Sequence, residues 1–157
     1  MSRRRVGVDV GGTKCLAVAL DDAGNVVADE RVPTPNDPDE LVEAILEVAR
    51  AVGAVDGIGV GVPGLVTRDG VLIAAPNVTS VRMLPLRVRL QAASGWDVRV
   101  DNDNTVACLA EGRQGAARGF DDVVLVGLGT GIGGGSVVDG KLHRGANGFA
   151  AEFGHMI

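Results

Sequence analysis

The chain has 157 residues, 46% of them hydrophobic and only 3% aromatic, enough for a well-filled core built mainly from Val, Leu, Ile and Ala. A net charge of -5 argues against the sequence-independent phosphate contacts of a nucleic-acid binder, and no apolar run approaches the ~18 residues of a membrane span. Ser2 to Arg5 carries three arginines, yet no apolar stretch of signal-peptide length follows, so the expectation is a cytoplasmic protein with neither nucleic-acid nor membrane partners.

In chain order, Val6 to Val10, Cys15 to Leu20 and Asn25 to Val32 read as three strands joined by G-G-T-K and D-D-A-G, turns that suit an antiparallel meander. A helix is expected from Pro38, with Asp37 as N-cap, Glu40 at the third helical position and Leu41, Ile45, Val48 and Val52 as its apolar stripe. Ile58 to Val62 reads as a strand buried on both faces and parallel to the first. Leu65 and Val66 should pair with Val71 and Leu72 across T-R-D-G. A loop through Pro76, Asn77 and Pro85 then leads to a second helix, Leu86 to Ala93.

Asp97 to Asp101 alternates as a strand, whereas Val106, Leu109 and Ala110 recur at helical spacing, so the period changes from about 2 to about 3.6 near Asn102. Polar residues between a strand and a helix are either a cap or a site, and Asn102, Asp103 or Asn104 could serve as the cap. From Asp121 a strand, the turn G-T-G-I-G-G-G and a returning strand repeat the pattern of residues 6 to 20, the echo expected of a duplicated architecture. The organisation is therefore read as an amino-terminal α/β domain over residues 1–119, followed by the incomplete start of a second over residues 120–157. Alone, the second part should be mobile or self-associating, because its Val and Leu side chains would lack cover. Cys15 and Cys108 are expected to be buried as small hydrophobes rather than paired.

The 24 glycines are about twice the usual share and cluster at 11–12, 57–64 and 127–135. Neither G-x-G-x-x-G match, at Gly59, Gly61 and Gly64 or at Gly129, Gly131 and Gly134, opens a helix, which removes the dinucleotide-binding reading. What remains is two hairpin turns whose backbone N–H groups can approach phosphate oxygens. Asp9, beside the first turn, is suited to hold magnesium through water.

D-V-G-G-T-K at 9–14, V-D-N-D-N at 100–104, G-T-G-I-G-G-G at 129–135 and G-F-A-A-E-F-G-H at 148–155 stand in the order seen in sugar kinases of the ROK family, and the chain resembles the glucokinases among them. The resemblance implies an actin-like, ribonuclease-H-like α/β fold with a mixed sheet, and phosphorylation of a hexose, glucose first, at its 6-hydroxyl by ATP with Mg2+. It implies Asp103 as the base, with Asn102, Glu152 and His155 on the sugar and Gly64 and Asn77 lining the same pocket. Gly11, Gly12, Thr13 and Lys14 match the first phosphate turn, and Gly129, Thr130 and Gly131 the second. His155 would ligate Zn2+ only if a Cys-x-Cys-Gly-x-x-Gly-Cys segment followed, and the chain contains none. Ala151 stands where relatives more often have Gly.

Relatives are about twice as long and form homo-oligomers, so catalysis by these 157 residues alone is not expected. The alternatives are a sugar-binding fragment without activity and the sugar-sensing domain of a ROK-type repressor. Repressors carry a helix-turn-helix ahead of the first glycine motif, and only eight residues precede Asp9 here.

Overall fold

A computed structural model of the chain describes residues 5–54, 56–75, 78–129 and 131–156, apart from the side chain at position 79. The elements are β1 (Arg5–Val10), β2 (Lys14–Leu20), β3 (Val26–Pro33), α1 (Pro38–Ala51), β4 (Gly57–Val62), β5 (Leu65–Val66), β6 (Leu72–Ala75), β7 (Val78–Leu84), α2 (Leu86–Ser94), β8 (Asp97–Asn102), α3 (Asp103–Gln114), β9 (Val123–Leu128), β10 (Ile132–Val138) and β11 (Lys141–Leu142), closed by a 3-10 turn, Phe153–His155.

The meander β1 to β3 forms as expected, and β4 and β8 extend it in parallel with β1 in the order β3-β2-β1-β4-β8. Period-2 alternation gives this mixed sheet two unlike faces. Val6, Val8, Val10, Ile58, Val60, Val62 and Val98 point to one side, where they are buried against α1 and α2. The opposite face carries Gly7, Asp9, Leu16, Gly59, Gly61 and Asp101 and forms the floor of a cleft. The expectation that β4 is buried on both faces is corrected here: Gly59 is exposed, and a Cβ on it would meet nothing.

Helix α1 begins as its sequence dictates. The Asp37 carboxylate accepts the N–H groups of Asp39 and Glu40 at 2.8 and 3.1 Å, and Pro38 occupies a position whose N–H would have been unsatisfied. Its buried stripe includes Leu41, Ile45 and Val48, with Val52 buried just beyond it. Helix α2 ends at Gly95, whose φ of 73° is the left-handed stop that glycine adopts without steric cost.

Two further sheets stand on this core, β5-β6-β7 and β11-β10-β9. The strand β7 replaces the loop expected between residues 76 and 85, of which residues 76 and 77 lie outside the described residues. Its partners jump from Ala75↔Val78 to Ala74↔Arg82, a bulge that destroys strict alternation, so the buried Val78, Val81 and Leu84 recur every third residue.

Helix α3 also departs from expectation. Its buried residues are Thr105 and Cys108, whereas Val106 and Leu109 line the cleft and Ala110 is exposed. The cause is its position: α3 packs against β9 and β10, and the glycines of those strands admit its backbone closely. A Cβ on Gly135 would overlap Cys108 and stand 2.9 Å from the Asn104 carbonyl. Both cysteines are buried and free, as expected.

Candidate active site

At the end of β8 the chain turns into α3, and the cap is Asn102. Its Oδ1 accepts the Thr105 N–H at 3.1 Å, while its Nδ2 donates to the Gly64 carbonyl at 3.0 Å. That leaves Asp103 as the first helical residue, near the positive end of the helix and on the wall of the cleft. Asn102 is 8% exposed, and each of its polar atoms retains capacity for one further bond. Gly64 has φ 99°, and a Cβ there would overlap the Ala74 carbonyl, so glycine is required at the point where its own carbonyl holds Asn102.

Asp9 lies on the same cleft, at the edge of β1 before the first glycine turn. Burial pushes its carboxyl pKa up, the Asp103 charge adds to the rise, and Lys14 opposes it. Glu152 is raised as well, by burial first, with His155 lowering it and Asp103 raising it. Asp103 is thus felt by carboxylates from two distant parts of the chain. Like charges gathered at a strand end disfavour mutual ionisation, and such clustering is what a cation or a proton-accepting site uses.

The first turn is held shut. Gly11 N–H donates to the Lys14 carbonyl at 2.8 Å, Thr34 Oγ1 donates to the Gly11 carbonyl at 2.7 Å, and Gly12 and Thr13 form the exposed tip. In the second turn Gly129 N–H donates to the Gly131 carbonyl at 2.9 Å, and a Cβ on either glycine would meet nothing. Packing among the described residues makes no demand for glycine at these two positions. Thr130 and Asn77 lie outside the described residues.

The segment after β11 is strapped to the first part of the molecule. Arg144 Nε pairs with Asp101 Oδ2 at 2.8 Å, and Arg68 donates to the Gly145 carbonyl through Nε at 3.0 Å and through Nη2. Gly148, at φ 101°, backs onto the Val66 carbonyl. The strap brings Glu152, which precedes the short 3-10 turn, within electrostatic reach of Asp103 and of His155, the exposed last residue of that turn. Glu152, His155 and the second turn stand outside the lining of the cleft, whose volume is roughly 800 Å3.

Sequence reasoning missed Asp101 and Arg144 as a pair. Asp101 lay within the V-D-N-D-N motif, but its partner, 43 residues away, carried no signal. Among the described residues no group of three His, Cys, Asp or Glu side chains could cage a metal ion. Asp9 nevertheless suits magnesium, which keeps most of its waters and takes one or two carboxylates together with phosphate oxygens. Zinc at His155 does not fit the described residues, because Cys15 and Cys108 are buried elsewhere and no set of three candidate ligands gathers among them.

The chain is similar to known proteins in sequence and in fold. The ROK family model matches residues 5–157. A glucokinase of Streptomyces coelicolor is 40% identical over 155 residues, 96% of this chain and 49% of that protein. An N-acetyl-D-glucosamine kinase of Pectobacterium atrosepticum is 37% identical, over 96% of this chain and 51% of its own length. The crystal structure of a ROK family glucokinase from Streptomyces griseus, in complex with glucose and AMPPNP, superposes with a TM-score of 0.90 at 37% identity, covering 98% of this chain and 50% of that one. The chain thus spans about half the length of the curated relatives it matches.

Proposed function

The chain belongs to the ROK family, and from that membership we propose that it forms the sugar-facing and phosphate-facing half of an ATP-dependent hexose kinase, with glucose as the preferred sugar. The observation that carries this reading is the junction of β8 and α3. Asn102 takes the capping role, so Asp103 is left facing the cleft, with Asp9 and Glu152 close enough to feel its charge. The similarity to kinases acting on two sugars supports the class of reaction, and the choice of glucose rests on the higher identity to a glucokinase.

In this reading ATP and magnesium, when bound, supply the phosphoryl group and neutralise its charge. Asp103 accepts the proton of the 6-hydroxyl. Asn102 spends its remaining bonding capacity on the sugar, Gly64 and Asn77 line the same pocket, and Glu152 and His155 hold further hydroxyls. Gly12 and Thr13 at one tip and Gly129 to Gly131 at the other approach the phosphates, with Gly11 and Lys14 shaping the first turn and Asp9 holding magnesium through water. Phosphoryl transfer demands positioning and charge neutralisation more than basicity, so an ordinary carboxylate suffices. Residues 1–119 would be the first domain of the kinase and residues 120–157 the opening of the second.

The test is a coupled assay for sugar phosphate with ATP and magnesium, run on the chain and on the chain continued to the length of its relatives. The continued protein should turn over glucose. Asp103→Asn should lower kcat by at least about 10²-fold, the usual range for a positioned base, with sugar affinity kept within about tenfold. Turnover of the variant within about threefold of the parent would assign Asp103 to the helix end alone.

A further inference from the structure

The glycine run of β9 and β10 contains a feature that phosphate binding does not explain. Gly127 and Gly133 face each other directly across the two strands, and the carboxamide of Asn104 lies over the pair. A Cβ on Gly127 would overlap the Asn104 Oδ1, and one on Gly133 would overlap its Nδ2. The recess is therefore filled by a side chain from α3, and two opposed residues without side chains are what makes room for it.

The same carboxamide reaches the other way. Asn104 Nδ2 donates to Asp103 Oδ1 at 2.9 Å, and the Asn104 backbone N–H donates to that oxygen at 2.8 Å. Both bonds fall on one oxygen, and among the described residues Asp103 Oδ2 takes no hydrogen bond. One carboxylate oxygen is anchored twice, which restrains the rotation of the group and leaves the other oxygen without a hydrogen bond from the described residues, on a side chain that lines the cleft.

We propose that Asn104 is a positioning residue: seated on the Gly127–Gly133 pair, it clamps Asp103 Oδ1, presents Oδ2 to the hydroxyl to be phosphorylated, and ties the base to the hairpin that carries the second glycine turn. This assignment rests on the kinase reading above. It adds a mechanical requirement, since the hairpin tip and the base then keep a fixed separation through one amide. Catalytic groups held by such supporting contacts keep the sub-ångström geometry that turnover needs.

Two readouts test it. In 1H–15N spectra of the 157-residue chain, the Asn104 side-chain amide should be protected from solvent exchange, and both Asp103→Ala and Gly133→Ala should abolish that protection. An amide that exchanges freely in the parent, or protection that survives both substitutions, overturns the clamp whether or not the protein is a kinase. In the continued protein, Asn104→Ala should lower kcat by about tenfold or more while the sugar KM stays within about twofold, because alanine at an early helical position favours the helix and removes only the carboxamide. An unchanged kcat, or a loss confined to KM, overturns the positioning role. A continued protein without sugar phosphorylation sinks the kinase reading, while the exchange measurement still decides the clamp.

Discussion

The two glycine turns look alike in sequence, each a strand, a glycine-rich tip and a returning strand, yet the fold secures them by different means. The β1–β2 turn belongs to a five-stranded sheet with α1 behind it and is locked from within, by Gly11 to Lys14 and by Thr34. The β9–β10 turn belongs to a three-stranded sheet whose far face leaves Val124, Val126 and Leu128 exposed, and it is held from outside, by α3 pressed onto Gly127, Gly133 and Gly135. Glycine thus serves two ends within nine residues. At 129 and 131 no contact among the described residues requires it, whereas at 127, 133 and 135 the packing of α3 does.

The largest effect that would break this contrast is expected at Gly135. Gly135→Val should destabilise the chain by about 3 kcal/mol, because the new side chain would collide with Cys108 and with the helix backbone. Gly129→Ala should stay within about 0.5 kcal/mol. Chemical denaturation of both variants makes the comparison, and similar losses in the two would erase the distinction between packing glycines and tip glycines.

A smaller effect sharpens the account of the strap that lies beside the second hairpin. Ala151 has φ 67°, a left-handed conformation that costs a residue with a side chain roughly 1–2 kcal/mol. Ala151→Gly should therefore raise stability by about 1 kcal/mol, read as a higher denaturation midpoint at unchanged slope. A neutral or lower midpoint would show that the turn is held without strain.

The smallest effect concerns the first hairpin and depends on pH. The carboxyl pKa of Asp9 is raised by burial and by Asp103, so its protonated form is more favoured in the folded chain than in the unfolded one. Its contribution to stability is present at low pH and is lost as pH rises through the raised value. Asp9→Asn should accordingly melt higher than the parent at neutral pH, with the gap closing at about pH 3, below the ordinary Asp value. A gap that widens on acidification would reverse the sign.

Much of this was legible in the residues. The meander, the parallel placement of β4, the start of α1 at Pro38 and the strand-to-helix change near Asn102 all followed from local period and from caps. What escaped was set by partners distant in sequence. A bulge hid β7 by breaking its alternation, and α3 turned Thr105 and Cys108 inward because glycines more than 20 residues later let it approach on that side. The choice among three candidate caps could not be made locally, since it was decided by the Gly64 carbonyl, 38 residues before Asn102.

The strap has a kinetic consequence. The bond from Arg68 to the Gly145 carbonyl joins residues 77 apart, whereas the meander closes through neighbours in the chain. Loops of that span close late because their entropy must be lost before the contact returns anything. The strap is accordingly expected to order after the meander has formed and to open before it. Local opening of residues 143 to 156 would thus release Glu152 and His155 while the five-stranded sheet stays closed, giving exchange at the strap that is independent of global unfolding.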